Sequence, residues 1–184
     1  MTDAPDRPLL FLDVDGPLIP FGGVHGHEAE PMPLRDGRLG SNPLATRLDS
    51  EIGRMLAALP CELVWATTWM HDANRFVGPI LGLPTLTVMD WPDSPDDRID
   101  EWFGLHWKTR ALVERAAGRS FIWIDDEISA SDREWIAEHH SGRALLHHVD
   151  PRTGLRPNDF DIIAAWLSSA SSGVTARQRG VLPH

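Results

Sequence analysis

The sequence contains no tyrosine, one cysteine, and one lysine, Lys108, among its 17 lysine and arginine residues. Because Cys61 is alone, neither an intrachain disulfide nor a cysteine-rich zinc site can form, and a reducing compartment is expected. No stretch approaches the roughly 20 consecutive apolar residues that a membrane-spanning helix requires. The N-terminal residues also lack the basic and apolar segments of a secretory signal. We therefore expect a soluble cytoplasmic protein with no membrane partner.

Acidic residues outnumber basic ones, and the formal net charge is -10 at pH 7. A broad binding face for duplex nucleic acid or for an anionic membrane requires many cations, so this charge argues against both and leaves only a local basic patch open. The length of 184 residues is about that of one domain. We expect a single domain over residues 1–168 and a flexible tail, rich in serine, over residues 169–184.

Five short apolar runs predict β-strands, and most are continuous, which is typical of strands covered on both faces. Segments with helical periodicity separate them. This alternation predicts an α/β fold, with a Rossmann-like, mostly parallel sheet of about five strands flanked by helices. The predicted strands are Leu9–Leu12, Leu63–Ala66, Leu86–Met89, Phe121–Ile124 and Leu145–Val149, and the predicted helices are 42–59, 70–81, 107–117, 129–139 and 158–168.

The first predicted strand leads directly into Asp13 and Asp15. Carboxylates at the end of a buried parallel strand lie at the edge of the sheet where open α/β folds bind their ligands. Residues i and i+2 of an extended strand share a face, so the two side chains can act as a nucleophile and an acid. By itself the pattern is more typical of an Asx turn closed by Gly16.

Polar residues follow two further strands. Thr67 and Thr68 come after the second strand, where a helix N-terminus can hold an anion. Three acidic residues beginning at Asp125 follow the fourth strand, and they repel one another unless a cation compensates them. Lys108 opens a predicted helix, where its charge opposes the helix dipole and requires a negative partner. Carboxylate oxygens are ligands that Mg²⁺ prefers.

Along the chain, the motif at Asp13 is followed by the motifs at Thr67, Lys108 and Asp125. This order resembles that of the haloacid dehalogenase (HAD) superfamily of phosphohydrolases. Receiver domains of two-component systems place similar residues on a similar sheet, but in them the acidic pair comes first and the lysine last. The resemblance implies a HAD-like core with a small or absent cap. The motifs are Leu12-Asp13-Val14-Asp15-Gly16-Pro17-Leu18, Leu63-Val64-Trp65-Ala66-Thr67, Lys108, and Ile122-Trp123-Ile124-Asp125-Asp126.

The resemblance implies a role for each catalytic residue. Asp13 would attack phosphorus and form an aspartyl-phosphate, and Asp15 would protonate the leaving oxygen and then activate water. Thr67 would bind a phosphoryl oxygen, and Lys108 would offset charge on the nucleophile and the phosphoryl group. The pattern is that of the phosphatase and phosphotransferase branch, and it does not separate these two reactions.

The resemblance also implies a magnesium site. Asp13 and Asp125 would bind Mg²⁺ directly, Asp126 through water, and Asp15 through its main-chain carbonyl oxygen. Pro17 departs from the pattern, because threonine or valine is more usual there and proline has no N–H. An alternative of a different class is a non-catalytic or regulatory module that retains the metal site.

The surroundings of the second motif resemble the HAD domains associated with Swiss Army Knife RNA-repair proteins. This resemblance implies a bulky phosphorylated substrate, with nucleic-acid ends as candidates. Thr68, Trp69 and Arg75 are candidate substrate contacts. Among the other tryptophans, Trp65 and Trp123 are expected in the core. Both core packing and base stacking stay open for Trp69, Trp91 and Trp107, and the histidines, His106, His140 and His147 among them, are expected to be solvated rather than metal ligands.

Overall fold

The computed structural model of the chain describes residues 7–21, 47–91 and 104–177. Its strands are β1 (Leu9–Leu12), β2 (Glu62–Trp65), β3 (Thr87–Val88), β4 (Phe121–Asp125) and β5 (Ala144–His148). They form one sheet in the order β3-β2-β1-β4-β5, and each neighbouring pair is parallel. The five predicted strands and the α/β fold are confirmed.

The central strand, β1, is completely buried. Its side chains alternate between two apolar clusters, one on each face of the sheet, because successive residues of a strand point to opposite sides. Leu10 and Leu12 pack into the cluster that contains Trp65, whereas Phe11 packs into the cluster that contains Trp123. Both tryptophans are fully buried, as expected from the sequence.

The sheet is flanked by five α-helices within the described residues, and the helix Ala130–His139 agrees closely with its prediction. Ser129 caps this helix, and its side chain and main chain form a reciprocal capping box with Asp132. The helices are α1 (Ser50–Ala58), α2 (Gly78–Leu81), α3 (Thr109–Ala116), α4 (Ala130–His139) and α5 (Pro157–Arg177), and a π-helix spans Ala73–Val77.

The helix predicted over residues 42–59 is wrong in its N-terminal part. Leu48 and Asp49 are not helical, and α1 begins at Ser50. The Asp49 side chain accepts a hydrogen bond of 2.8 Å from the main-chain N–H of Glu51 and caps the helix. The predicted start at Asn42 lies outside the described residues.

The helix predicted over residues 70–81 is also wrong as one continuous α-helix. The chain forms the π-helix and then the short α2. Pro79 has no N–H for a regular helical bond, and the N–H of Gly78 bonds to the carbonyl oxygen of Ala73, five residues earlier. The regular α-helical bonding pattern is therefore interrupted just before Pro79.

The last helix, α5, continues to Arg177, beyond its predicted end at Ser168. Residues 178–184 lie outside the described part of the chain, so the division between a domain and a flexible tail stays a prediction. None of the described helices is both long enough and apolar enough to cross a membrane.

Candidate active site

Three strands deliver polar residues to one edge of the sheet. Leu12 pairs with Trp65 of β2 and with Ile124 of β4, so the residues that follow these three positions meet. The N–H of Asp13 donates to the carbonyl oxygen of Ile124 at 3.1 Å. The parallel register therefore places the first, second and fourth motifs side by side, as the topology of an open α/β sheet requires.

Lys108 lies between two carboxylates. Its Nζ is 2.9 Å from Asp13 Oδ2 and 2.8 Å from Asp125 Oδ2, and only 2% of the residue is exposed. Burial by itself would lower the pKa of this lysine, but the two carboxylates outweigh burial and raise the pKa above its ordinary value. The negative partners expected for a cation at the start of α3 are therefore present.

A group of three carboxylates could hold a metal ion. Asp13, Asp125 and Asp126 each offer an oxygen, and these atoms lie within 4.8 Å of one another. The pKa of Asp13 and that of Asp126 are both raised to about 6, first by burial and then by the charge of Asp125, while the Lys108 ammonium opposes the rise at Asp13. An oxygen-only donor set with mutual repulsion is suited to a hard divalent cation.

Gly16 allows Asp126 to approach the first motif. A Cβ atom at Gly16 would lie 2.4 Å from Asp126 Cγ, and its φ of +81° is one that other residues rarely adopt. The turn that follows is closed by the N–H groups of Leu18 and Ile19, which both donate to Val14. Pro17 fits this turn because these closing bonds require no N–H at its position.

Asp13 and Asp15, which the sequence predicts to act as a pair, contact different residues in the structure. Asp13 faces Lys108, whereas Asp15 Oδ2 accepts a hydrogen bond of 2.8 Å from the indole N–H of Trp69. Burial raises the pKa of Asp15, and the Trp69 bond opposes part of that effect. The two carboxylates thus have different partners. Their catalytic roles, and the predicted metal ligation by Asp15, stay predictions.

The threonines after β2 differ in exposure. Thr67 is fully buried, and its Oγ1 accepts a 3.3 Å hydrogen bond from the N–H of Trp69. Thr68 is exposed. Arg75 is also exposed, and its guanidinium lies 4.9 Å from the centre of the Phe76 ring. Contacts of Thr68, Trp69 and Arg75 with a substrate remain predictions.

Tryptophan side chains hold the site together to an extent that the sequence pattern did not predict. Besides Trp69, Trp123 donates its indole N–H to Asp125 Oδ2 at 3.1 Å, and Trp91 donates to the carbonyl oxygen of Thr67 at 3.3 Å. The bond between Trp123 and Asp125 could have been predicted from the sequence, because residues i and i+2 of a strand share a face. The other two join residues far apart in sequence.

The expectation that His106, His140 and His147 are solvated is wrong. His106 Nδ1 accepts from the main-chain N–H of Lys108 at 3.1 Å, so Nε2 carries the proton and lies 3.0 Å from Glu127 Oε2. His106, Asp125 and Glu127 form a second group of metal-ligand type. A metal ion there would have to displace the Nε2 proton, so the all-oxygen group is the better cation site.

A further buried carboxylate, Asp132, supports the segment that carries Lys108. Its Oδ1 accepts from the N–H of His106 at 2.8 Å and from Thr109 Oγ1 at 2.5 Å. Its Oδ2 accepts from the N–H of Ser129 at 2.8 Å and from the hydroxyl of the same residue at 2.6 Å. The Asp132 side chain thereby ties the start of α3 to the start of α4. The sequence indicated only a helix start here.

Comparison with known proteins supports the family resemblance. A family model described as "HAD domain in Swiss Army Knife RNA repair proteins" matches residues 9–160. This span runs from β1 into α5 and includes every predicted catalytic and metal-binding residue. Searches of curated proteins and of solved structures return no match.

Proposed function

Because the chain belongs to the family of HAD domains found in Swiss Army Knife RNA repair proteins, we propose that it is a Mg²⁺-dependent phosphohydrolase acting through an aspartyl-phosphate. The family supports a HAD-fold phosphohydrolase in general. For this chain the proposal depends on one observation: a buried ammonium group, Lys108 Nζ, bridges Asp13 and Asp125. A cation held at a candidate nucleophile can also contact an incoming phosphoryl group.

The proposed reaction has two displacements at phosphorus. In the first, an Asp13 oxygen forms a bond to phosphorus while the ester P–O bond breaks, and the leaving oxygen takes a proton from Asp15. In the second, Asp15 takes a proton from water, whose oxygen attacks phosphorus, so that inorganic phosphate leaves and the Asp13 carboxylate is restored. Lys108 and the Thr67 hydroxyl hold the phosphoryl oxygens during both steps.

The oxygens of Asp13, Asp125 and Asp126 are the donors that would hold Mg²⁺. Asp125 Oδ2 accepts hydrogen bonds from both Lys108 and Trp123, whereas within the described residues Oδ1 accepts only from the main-chain N–H of Glu127. Oδ1 therefore keeps a lone pair for a metal. When bound, Mg²⁺ supplies positive charge that stabilises the transferring phosphoryl group.

The proposed substrates are phosphorylated nucleic-acid ends or other bulky phosphate monoesters. The family description supports nucleic-acid ends, because it names RNA repair proteins. A panel of 3'- and 5'-phosphorylated oligonucleotides, sugar phosphates and nucleotides tests this choice. Faster phosphate release from oligonucleotide ends supports the proposal, and the reverse ranking removes it.

The nucleophile assignment is tested with Asp13→Asn. In the presence of Mg²⁺, this variant is expected to lose phosphate release from p-nitrophenyl phosphate by at least about a thousandfold, because the covalent step is removed. The matched control is Asp161→Asn, a change of the same kind at an exposed position of α5. Wild-type activity in the Asp13 variant would disprove the assignment.

A metal-binding module without turnover makes a different prediction. Such a module would bind Mg²⁺ and the phosphate mimic beryllofluoride at the Asp13 site, yet release no phosphate from any compound in the panel. Calorimetric titration of both ligands alongside the turnover assays separates the two functions.

A further inference from the structure

One aromatic side chain beside the catalytic residues is still available to a ligand. Trp107 is 39% exposed, and the centre of its ring lies 5.5 Å from Lys108 Nζ. The indoles of Trp69, Trp91 and Trp123 each donate a hydrogen bond to a residue of the site. The Trp107 indole, by contrast, donates no hydrogen bond to any residue in the described part of the chain.

Neighbouring rings hold Trp107 in place. Trp91 meets it edge to face, with ring centres 4.7 Å apart and an interplanar angle of 71°. His106 lies against it at 5.5 Å with an interplanar angle of 30°. Because Trp91 and His106 are themselves hydrogen-bonded to Thr67 and Glu127, the ring is supported from two sides. A preordered aromatic ring loses little entropy when it stacks on a ligand.

We propose that Trp107 is the stacking platform for the terminal base of a phosphorylated nucleic-acid end. This inference rests on the proposed function, because it takes the phosphoryl group to lie against Asp13 and Lys108. Base stacking on an aromatic side chain tolerates any base and contributes substantially to binding of single strands. Trp107 would then select substrates that carry a base next to the scissile phosphate.

The phosphoryl group would contact both Asp13 Oδ2 and Lys108 Nζ, which are 2.9 Å apart, and the Trp107 ring centre is 5.5 Å from Nζ. A group attached to the phosphate can therefore reach the ring. In a nucleic-acid end, that group carries a base.

The charge of the chain limits recognition to the end of the strand. With a net charge of -10, the protein is not suited to follow a run of phosphates, which requires a cationic groove. We therefore expect a dinucleotide and a longer strand to bind about equally well and with a shallow salt dependence. A tenfold preference for the longer strand, or a steep loss of affinity with salt, would overturn recognition of the terminal nucleotide alone.

The test measures binding without turnover. In an Asp13→Asn background with Mg²⁺, calorimetry compares 5'- and 3'-phosphorylated dinucleotides with analogues that lack the terminal base. For at least one end, removing the base is expected to weaken binding about tenfold when Trp107 is present. In Trp107→Leu the loss should fall below twofold, whereas Trp107→Phe, which keeps a ring, should retain most of it.

Trp135→Leu is the matched control, because Trp135 packs against Arg110 and His139 rather than a residue of the site, and it should keep the tenfold base effect. The platform is overturned if the base contributes less than twofold with Trp107 present, if Trp107→Leu retains the full effect, or if neither dinucleotide binds.

Turnover of the same ligands by the wild-type protein tests the proposed function separately. A base effect that depends on Trp107, without phosphate release, would refute the hydrolase and keep the platform. Phosphate release with no base effect would support the hydrolase and refute the stacking platform. The kcat/KM for the analogues that lack the terminal base should change less than twofold in Trp107→Leu.

Discussion

Two clusters of residues built around buried carboxylates contact the segment that carries Lys108, and they are built on different principles. In the candidate active site, Asp13, Asp125 and Asp126 repel one another around a single ammonium group. At the other cluster, Asp132 is alone and accepts four hydrogen bonds from uncharged donors. The candidate active site keeps uncompensated negative charge that a cationic ligand can neutralise, whereas the charge of Asp132 is fully compensated by hydrogen bonds.

The contrast teaches how to separate a structural carboxylate from a functional one. Burial raises the pKa of Asp13 and Asp126, so their ionised forms weaken the fold unless a cation is added. Asp132 needs no added cation, because protein donors replace its water. Replacing a carboxylate by an amide should therefore stabilise the metal-free fold at Asp126 and destabilise it at Asp132.

The largest effect is expected at Lys108, which contacts Asp13 and Asp125 and lies between two residues that donate hydrogen bonds to Asp132. Lys108→Arg keeps the charge, but the larger guanidinium cannot occupy the position of a compact ammonium held 2.9 Å from Asp13 and 2.8 Å from Asp125. We expect kcat/KM for phosphate release to fall about a hundredfold or more. The exposed Arg115→Lys on the same helix is the control, and a fully active Lys108→Arg protein would contradict the assigned role.

The next effect is on stability. Asp132→Asn places an amide N–H₂ against donors of Ser129 or Thr109, so we expect urea titration to show a loss of about 1–3 kcal/mol in the free energy of unfolding. Phosphate release should fall as well, because the start of α3 loses its support. The exposed Asp161→Asn should change stability by less than about 0.5 kcal/mol. Equal stability of the two variants would refute the distinction between the clusters.

The smallest effect has the opposite sign. Since the folded-state pKa of Asp126 is about 6 against an ordinary 3.8, the metal-free protein should lose stability as the pH rises through that interval. Asp126→Asn should reverse part of this loss and raise Tm by a few degrees at pH 7 without metal, while reducing the stabilisation by Mg²⁺. A lower Tm in metal-free Asp126→Asn would show that repulsion among Asp13, Asp125 and Asp126 does not destabilise the fold.

Most of the candidate site followed from local patterns. The apolar runs ending in Asp13, Thr67 and Asp125 predicted both the strands and the edge where they meet, because parallel strands share their carboxyl ends. Lys108 stood out by composition alone, as the single lysine of an arginine-rich chain. In the structure it occupies the position where a compact ammonium contacts two carboxylates.

The support around those residues could not be predicted in the same way. The bond between Trp69 and Asp15 and the bond between Trp91 and Thr67 join separate segments, and periodicity carries no information about such pairs. The burial of His106 depends on its contacts with Lys108 and Glu127. Pro79 was visible in the sequence, yet the π-helix before it is also tied to β2 by Asn74, which accepts from the Trp65 indole.

The sequence by itself determined the strands, the order of the motifs and the identity of the charged residues, because each depends on neighbours within a few positions. The tertiary structure alone decided which charges are opposed and which are satisfied. Asp126 and Asp132 are both acidic residues close to β4, and local sequence places only Asp132 in a capping box with Ser129. Asp126 meets other carboxylates beside Gly16, whereas Asp132 also receives the donors of His106 and Thr109, because packing of α3 and α4 brings those two residues to it.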